Sequence, residues 1–452
     1  MSDIADRLGE QVMEAMEPLH VPGVAVGILH DGQEHVAGFG VTNVEHPLPV
    51  TPDTLFQIGS ITKTFTGALA MRLVEMGRLD LDAPIRAYLP GLRLSDESAA
   101  ARVTMRHLLT HTGGWVGDYF NDFGYGDDAL AKMTTKLADL PQLTPLGEIW
   151  SYNNAGFYLA GRVIEMVTGK SFEAAMRELV LDPLGLSLSF FFPEKVITHR
   201  FVVGHNVVDE QPRVARPWAV GRAIHPAGGI VSNAKDLLRY ARFLTGDGTA
   251  LDGTRLLTPE SLALMQTPLF PATGISMIGL TWFIAMAGED KVIRHGGGTK
   301  GQVTEFVVAP GRGFACAILT NSEMGSALCY EVSQWALRHY LGAALPEAIP
   351  LEWPLEKLAP YVGRYESTLS LFELSLSDGG LRLQVTYKGG FPTPDSPPPP
   401  EQPPPVRVAL YAEDRLIVLD PPFKDARGEF LRDAEGRIVW LRFGGRVRAR
   451  EK

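Results

Sequence analysis

Residues 58–76 place a Ser-x-x-Lys sequence at the start of a predicted helix. Small, turn-prone residues come first, and apolar residues three or four positions apart follow from Phe65 to Met76, which is typical of one helix face. Lys63 lies one helical turn after Ser60, so its amine can reach the serine hydroxyl. A serine hydroxyl needs a neighbouring base to become a nucleophile at neutral pH. The segment therefore predicts a nucleophile for acyl transfer.

A second Ser-x-x-Lys sequence, from Ser232 to Lys235, shows how little this two-residue pattern says by itself. There the serine follows Gly228 and Gly229 and precedes an apolar helical pattern, so we interpret Ser232 as the N-cap of a helix. The same structural interpretation is open for Ser60 while the motif is taken alone. A choice between nucleophile and helix end needs residues from elsewhere in the chain.

Composition excludes several classes of function. The chain has 452 residues and a formal net charge of -10, with no concentrated basic run, which argues against a nucleic-acid-binding surface. Cys316 and Cys329 are too few for a disulfide scaffold. The first residues are charged and amphipathic, and no apolar run is long enough to span a bilayer. We therefore expect a cytoplasmic protein that does not bind membranes.

The order of strand-like and helical patterns predicts an α+β fold. Two strand-like runs between residues 24 and 39 are joined by an Asp31-Gly32 turn, which is a strong hairpin signal. Helical patterns dominate the middle of the chain. Strand-like runs return between residues 281 and 320 and are followed by an amphipathic helix at 327–341. One sheet built from both ends of this part, with a helical insertion, fits the pattern.

The C-terminal part of the chain has a different pattern. We place one domain at residues 1–345, a linker at 346–356 and a second domain at 357–452. In the second domain, short strand-like runs alternate with glycine-containing turns, which predicts a small antiparallel β-barrel. A proline-rich loop at 392–405 interrupts this barrel, because prolines cannot enter a strand ladder.

Two further segments carry residues suited to acyl transfer. Tyr152 and Asn154 stand two apart just before a predicted helix. A phenol beside a lysine can act as a general base, and an asparagine amide can hold a substrate carbonyl. The segment from His295 to Gly298 lies between strands, where its glycines let a substrate lie along the strand edge. Each segment also has a purely structural interpretation: Tyr152 could simply pack against the helix, and the glycine segment could simply be a flexible hairpin.

A metal site is not predicted. His107 and His111 have the i, i+4 spacing of two metal ligands on one helix face. No carboxylate that could complete the site stands out near them in the sequence. We therefore expect neither histidine to bind a metal ion.

Taken in order, three segments resemble the motifs of class C β-lactamases and penicillin-binding-protein-like serine hydrolases. These are Ser60-Ile61-Thr62-Lys63, Tyr152-Asn153-Asn154 and His295-Gly296-Gly297, and the flanks at 56–59, 106–114 and 226–229 look like this family too. The resemblance covers about residues 5–343. It implies a β-lactamase/DD-peptidase-like domain, with an antiparallel sheet flanked by helices and a helical subdomain. The tail from Leu358 resembles the lipocalin-like barrel that follows this domain in some members.

The resemblance also implies a mechanism. Ser60 attacks the carbonyl carbon, and Tyr152, supported by Lys63, takes the proton and passes it to the leaving group. The backbone N–H groups of Ser60 and Gly298 form an oxyanion hole. No metal or organic cofactor is implied. Substrate contacts are expected from Asn154, His295, Gly296, Gly297 and Gly298.

One departure from the family bears on the substrate. β-Lactamases and cell-wall peptidases usually have lysine where His295 stands, and histidine is mostly neutral at pH 7. We therefore expect esters or small neutral amides as substrates, with β-lactam hydrolysis at most a side activity. A D-amino-acid-specific peptidase or amidase and a β-lactamase remain alternatives. So does a penicillin-binding or ligand-sensing module without turnover. The barrel is expected either to form a homo-oligomer or to shape the substrate pocket.

Overall fold

The computed structural model describes residues 2–250, 252–377, 379–389, 396–399, 401–421 and 423–451, with side chains from residue 7 onward. The helices are α1 (Ser2–Met16), α2 (Thr62–Glu75), α3 (Glu97–Arg102), α4 (Met105–Leu109), α5 (Ala129–Thr135), α6 (Asn154–Thr168), α7 (Phe172–Met176), α8 (Pro193–Val196), α9 (His225–Gly228), α10 (Ala234–Thr245), α11 (Pro259–Met265), α12 (Gly325–Leu341) and α13 (Leu355–Leu358). Within these residues, no helix combines the length and apolar character needed to cross a membrane.

The strands form a large sheet, a barrel and two small ladders. They are β1 (Gly23–His30), β2 (Gln33–Gly40), β3 (Phe56–Gln57), β4 (His205–Val208), β5 (Gln211–Val214), β6 (Val231–Ser232), β7 (Phe270–Thr273), β8 (Ser276–Ile278), β9 (Phe283–Ala287), β10 (Asp290–Thr299), β11 (Gln302–Ala309), β12 (Phe314–Thr320), β13 (Gly363–Glu366), β14 (Ser370–Ser377), β15 (Gly380–Tyr387), β16 (Val406–Ala412), β17 (Arg415–Val418), β18 (Arg427–Arg432), β19 (Ile438–Phe443) and β20 (Arg446–Arg450).

One antiparallel sheet of eight strands runs through the body, in the order β2-β1-β12-β11-β10-β9-β8-β7. Strand β1 pairs with β12, so the first strands lie beside the last strand of the body and the predicted α+β fold is confirmed. The β1–β2 turn has positive φ at both Asp31 (48°) and Gly32 (72°), as the predicted tight hairpin requires. Strands β7 and β8 were not predicted, because each has only three or four residues.

Both faces of the sheet are covered. On β12, Ala317 and Leu319 belong to the core that lies under the helical insertion and α10, whereas Cys316 and Ile318 belong to a second core under α1 and α12. Burial on both faces explains why β12 is apolar at nearly every position rather than at alternate ones. The two cysteines are free thiols buried in this second core.

A closed barrel of eight antiparallel strands follows the body, with neighbours in simple chain order from β13 to β20. Its interior is filled by buried side chains such as Tyr365, Leu383 and Leu441. Seven of these strands match predicted runs, but β20 was missed. Of the predicted loop at 392–405, the parts at 396–399 and 401–405 contain no helix or strand, and 392–395 and 400 lie outside the described residues.

The turn between β19 and β20 touches the body at a predicted site residue. Gly444 and Gly445 form this turn with φ of 57° and 76°, a left-handed conformation that suits glycine. The carbonyl of Gly445 accepts a hydrogen bond from the backbone N–H of Tyr152 at 2.8 Å. Beside the turn, the Arg442 guanidinium donates to the carbonyl of Trp150 at 3.1 Å. The barrel is therefore docked against the segment that carries Tyr152.

Candidate active site

The three predicted catalytic side chains lie together. Ser60 occupies a 3₁₀ turn, Gly59–Ile61, that leads directly into α2, so Lys63 is one turn away. The Lys63 Nζ lies 3.1 Å from the Ser60 Oγ and 4.9 Å from the centre of the Tyr152 ring. The Tyr152 phenol is also near the Ser60 side chain, whose hydrogen-bonding interaction acts to lower the pKa of the phenol. The hydroxyl, the amine and the phenol therefore form one contact cluster.

Burial controls the proton affinity of this cluster. Lys63 is fully buried, and burial, together with the nearby positive charge of Arg446, lowers its pKa well below the ordinary value. Burial raises the pKa of Tyr152 to about 12, although its hydrogen bond with Ser60 and the charge of Arg446 act in the opposite direction. At neutral pH the phenol therefore keeps its proton, whereas burial favours the neutral form of the Lys63 amine.

The carbonyl of Ala227 fixes the lysine amine. It accepts a hydrogen bond from Lys63 Nζ at 2.7 Å. Ala227 lies in α9, which the sequence analysis identified only as a flank of the resemblance. Because the amine contacts both Ala227 and Ser60, its position depends on the turn that contains α9. This backbone acceptor could not be predicted from residue types.

His295 is neutral in this environment. It is almost completely buried on β10, and burial together with the nearby Lys63 lowers its pKa to about 3. Its Nδ1 lies 2.6 Å from the carbonyl oxygen of Gly296, which can only accept, so Nδ1 carries the proton. Its Nε2 is buried and has no partner among the described residues. The centres of the His295 and Tyr152 rings are 6.3 Å apart.

The glycines of β10 allow this strand to lie against the turn that carries Ser60. A Cβ on Gly297 would lie 2.0 Å from the carbonyl oxygen of Ile58, and a Cβ on Gly59 would lie 2.6 Å from the backbone nitrogen of Gly298. Neither position can hold a side chain without moving backbone. The close approach brings the backbone of Gly298 beside Ser60, where the sequence predicts the second oxyanion donor.

This contact predicts the effect of adding one methyl group. Replacing Gly297 with alanine should push β10 away from the Ser60 turn, because the obstructing atom is backbone oxygen and cannot rotate away. We expect roughly tenfold slower labelling of Ser60 by a fluorophosphonate and a lower Tm. Gly311 has nothing within 4 Å of an added Cβ, so Gly311→Ala is the matched control and should label at the wild-type rate. Equal labelling rates for the two variants would contradict the prediction.

Asn154 is linked by hydrogen bonds to two residues near Tyr152, Asp118 and Arg446, which the sequence analysis did not identify. Its amide Nδ2 donates to Asp118 Oδ1 at 3.0 Å. The same carboxylate binds Arg446 of the barrel, whose Nε and Nη2 donate at 2.8 and 3.1 Å. The Arg446 guanidinium carbon lies 4.7 Å from the centre of the Tyr152 ring. The barrel therefore contributes a side chain to the site.

The Asp118–Arg446 pair is a compensated charge pair rather than a free cation. Burial alone would raise the pKa of Asp118, but Arg446 and Asn154 outweigh it and lower that pKa. The remaining Arg446 nitrogen, Nη1, donates to the carbonyl of Gly444 at 2.9 Å. All three guanidinium nitrogens thus have protein acceptors. The two charges act on the site in opposite directions: Arg446 lowers the pKa values of Lys63 and Tyr152, and Asp118 raises them.

His107 and His111 have separate roles. His107 Nδ1 contacts the hydroxyl of Thr104 at 2.9 Å at the start of α4. His111 is buried with its ring stacked on Tyr152 at 4.4 Å, and its Nδ1 accepts from the backbone N–H of Asn153 at 2.9 Å. Burial and the nearby Lys63 lower the pKa of His111 well below its ordinary value. A neutral ring therefore supports one face of Tyr152.

The second Ser-x-x-Lys sequence needs a correction. Ser232 ends β6 and is fully buried, with its hydroxyl 2.8 Å from that of Ser189. The N-cap of α10 is Asn233, whose side chain accepts from the N–H of Asp236. The helix start was therefore predicted one residue early, because serine and asparagine are both good caps. Lys235 pairs with Asp53 on the surface.

Comparison with known proteins gives extended matches in sequence. A family model described as beta-lactamase matches residues 9–329. Penicillin-binding protein 4 of Amycolatopsis lactamdurans is 36% identical over 361 residues, which cover 77% of this chain and 93% of that protein. Residues 9–329, which the family model matches, include all three segments that carry the predicted site residues.

Two solved structures match over nearly the whole length, including the barrel. The crystal structure of SurE with D-Leu is 27% identical, with a TM-score of 0.74, and covers 100% of both chains. The octameric penicillin-binding protein homologue from Pyrococcus abyssi is 25% identical, with a TM-score of 0.63, and covers 99% of both chains. The combination of this body with a C-terminal barrel is thus found in other proteins.

Proposed function

Because the chain belongs to the β-lactamase family, we propose that it is a serine hydrolase that forms an acyl-enzyme on Ser60 and acts on esters or small neutral amides. The observation that carries this proposal is the contact cluster of Ser60, Lys63 and Tyr152. In it, a buried amine of lowered pKa lies 3.1 Å from the hydroxyl it would activate. A helix N-cap would need neither the buried lysine nor the phenol.

The pKa directions refine the order of proton transfers. The neutral amine of Lys63 accepts the proton of Ser60 as its oxygen attacks the carbonyl carbon. Tyr152, still protonated, delivers its proton to the leaving group and is reprotonated from Lys63. Water then cleaves the acyl ester with the same two groups. The resemblance gave the role of first base to Tyr152, and a phenol with a pKa of about 12 supports Lys63 instead.

The charges of the residues around Tyr152 favour neutral substrates over anionic ones. His295 stands where the resemblance implies a lysine in β-lactamases and cell-wall peptidases, and its pKa of about 3 keeps the ring neutral, as expected from the residue type. Arg446 lies near the cluster, but its nitrogens are taken up by Asp118 and Gly444. Among the described residues around Tyr152, the cation best placed to attract a carboxylate is therefore already paired. Binding of an anionic substrate would have to displace Asp118.

Amides of D-amino acids are a second candidate. The specific observation that favours them is the match to SurE, which was solved with D-Leu and aligns with this chain over its full length. The match to penicillin-binding protein 4 keeps β-lactams among the compounds to test. Esters and neutral amides remain the first candidates, because His295 is neutral and Arg446 is already paired with Asp118.

A substrate panel tests the proposal. Purified protein should form a phosphonyl adduct on Ser60 with a fluorophosphonate, with loss of fluoride, seen by intact mass. It should also hydrolyse short-chain p-nitrophenyl esters faster than nitrocefin. D-leucine p-nitroanilide against its L-isomer tests the second candidate. Ser60→Ala should show neither adduct nor turnover. Faster hydrolysis of nitrocefin would favour a β-lactamase, and a persistent ester-derived adduct without turnover would favour a ligand-sensing module.

Assembly and location are proposals of the same kind. The match to an octameric homologue supports a homo-oligomer for this chain, and light scattering of the purified protein would measure its mass. The cytoplasmic location expected from the sequence stays a prediction that cell fractionation would check.

A further inference from the structure

A buried charged cluster lies at the start of α9, the short helix whose Ala227 carbonyl accepts a hydrogen bond from Lys63. Glu173 of α7 contacts His225 Nδ1 at 2.7 Å through its Oε1, and both side chains are buried. The same carboxylate accepts from Nε and Nη2 of Arg222, each at 3.1 Å. Burial alone would raise the pKa of Glu173, but these hydrogen bonds outweigh it and lower that pKa to about 2. The carboxylate is therefore ionised and His225 Nδ1 carries a proton.

The segment that begins at His225 is bonded to the nucleophile helix at three successive points. The hydroxyl of Thr66 donates to the carbonyl of Pro226 at 2.8 Å, and Lys63 Nζ donates to the carbonyl of Ala227 at 2.7 Å. Further on, the N–H of Ile230 donates to the hydroxyl of Thr62 at 3.1 Å. Because α9 has only four residues, it cannot fix its own position.

We propose that Glu173 and His225 are positioning residues for Lys63: the Glu173–His225 hydrogen bond anchors α9 and thereby places the Ala227 carbonyl that holds the lysine amine. The anchor lies at the first residue of α9 and the acceptor two residues later. Packing supports this placement, because the His225 ring lies 5.3 and 5.4 Å from the rings of Phe191 and Phe192. Removing the anchor leaves the segment held only through its bonds to α2, so the Ala227 carbonyl can shift and the amine loses its fixed distance to Ser60.

This inference rests on the proposed acylation of Ser60 and predicts a defect in rate rather than in binding. His225→Leu removes the Nδ1 donor, whereas His225→Asn retains an N–H donor close to the same place. We expect the limiting rate of fluorophosphonate labelling to fall roughly 20-fold in His225→Leu, with the half-saturating concentration unchanged, and to recover to within about threefold of wild type in His225→Asn. Glu173→Gln should fall between them, because it retains one acceptor.

Glu178→Gln is the control, since Glu178 is an exposed carboxylate near α7 that pairs with Lys170. It should label at the wild-type rate. Circular dichroism and Tm of each variant check folding. An unchanged limiting rate in His225→Leu, a defect confined to the half-saturating concentration, or no recovery in His225→Asn would overturn the proposal.

A second readout does not depend on turnover. Crystal structures of the two His225 variants should keep the contact between Lys63 Nζ and the Ala227 carbonyl at hydrogen-bond distance in the asparagine variant and lose it in the leucine variant. An intact contact in both would overturn the inference. Failure of wild-type protein to react with the fluorophosphonate would instead refute the proposed function, and the structures would still decide the positioning role.

Discussion

Replacing Lys63 with methionine should slow the reaction of Ser60 with a fluorophosphonate by roughly 10⁴-fold, the upper end of what a positioned base contributes. Lys63 Nζ is 3.1 Å from Ser60 Oγ, and the pKa of the alternative base, Tyr152, is raised to about 12. Methionine has a similar shape, is apolar, and suits a fully buried position. The fold should therefore survive. Intact-mass measurement of fluorophosphonate labelling over time would give the rate.

The chain supplies its own control. Lys235 belongs to the second Ser-x-x-Lys sequence and pairs with Asp53 on the surface, so Lys235→Met should label at the wild-type rate. Ser60→Ala should not be labelled at all. The prediction fails if the Lys63→Met variant is labelled within about tenfold of wild type, a loss too small for a base.

The same chemistry predicts the pH dependence. Only the neutral amine of Lys63 can accept a proton, so the labelling rate should rise with pH and level off once the amine is neutral. Because burial and Arg446 lower the pKa of Lys63, the plateau should begin well below pH 10.5. Tyr152→Phe should lower the plateau without moving its midpoint. A rate that keeps rising towards pH 12 would assign the base to Tyr152.

The local parts of this site could be predicted from sequence. The spacing of Ser60 and Lys63 is one helical turn, and a turn of helix fixes the distance between them whatever the rest of the fold does. The neutrality of His295 followed from its residue type and is strengthened by burial. By contrast, Ala227 contributes a backbone oxygen, which any residue has. No residue pattern could have identified it.

Replacing Arg446 with methionine should slow labelling of Ser60 by roughly 100-fold, although this residue lies in the barrel. The substitution leaves Asp118 with its negative charge beside Tyr152 and without its main partner. Because the Arg446 and Asp118 side chains are 36% and 13% exposed, solvent screens the remaining charge, and the loss should cost less than the about 3–5 kcal/mol of a fully buried pair. In the wild-type protein the charge of Arg446 lowers the pKa of Lys63. Loss of that charge should therefore raise the pKa of Lys63. The pH plateau should therefore shift to higher pH.

A double variant separates the effect of Arg446 on the labelling rate from its effect on the stability of the fold. Arg446→Met combined with Asp118→Asn leaves no unpaired charge, so its Tm should return towards the wild-type value while labelling stays slow. Arg432 and Asp414 form a similar two-bond pair at 2.8 and 2.7 Å elsewhere on the barrel. Arg432→Met is thus the matched control and should label normally. A wild-type rate in Arg446→Met would show that the barrel has no part in the site.

Arg446 and Asp118 were missed for a physical reason. They are 328 positions apart, and nothing local to either residue indicates the other. Strand β20 reads Arg-Val-Arg-Ala-Arg, which looks like a polar, exposed segment, yet Arg448 in it is buried with Phe372 and the carbonyl of Phe443 as neighbours. A buried arginine that donates to backbone carbonyls cannot be distinguished from a surface arginine by sequence alone. The barrel was predictable, and a role at the substrate pocket was one of two expectations for it. Its closing strand and the residues that contact the body were not predicted.

The docking of the β19–β20 turn against Tyr152 has a consequence for synthesis on the ribosome. Ser60, Lys63 and Tyr152 leave the exit tunnel early, whereas Arg446 emerges almost 300 residues after Tyr152. A nascent chain therefore carries Ser60, Lys63 and Tyr152 long before it carries the arginine that the docked turn places beside Tyr152. If Arg446→Met labels slowly, as expected above, a protein truncated after Phe443 should label slowly too, and reactivity at Ser60 would then arise only late in synthesis.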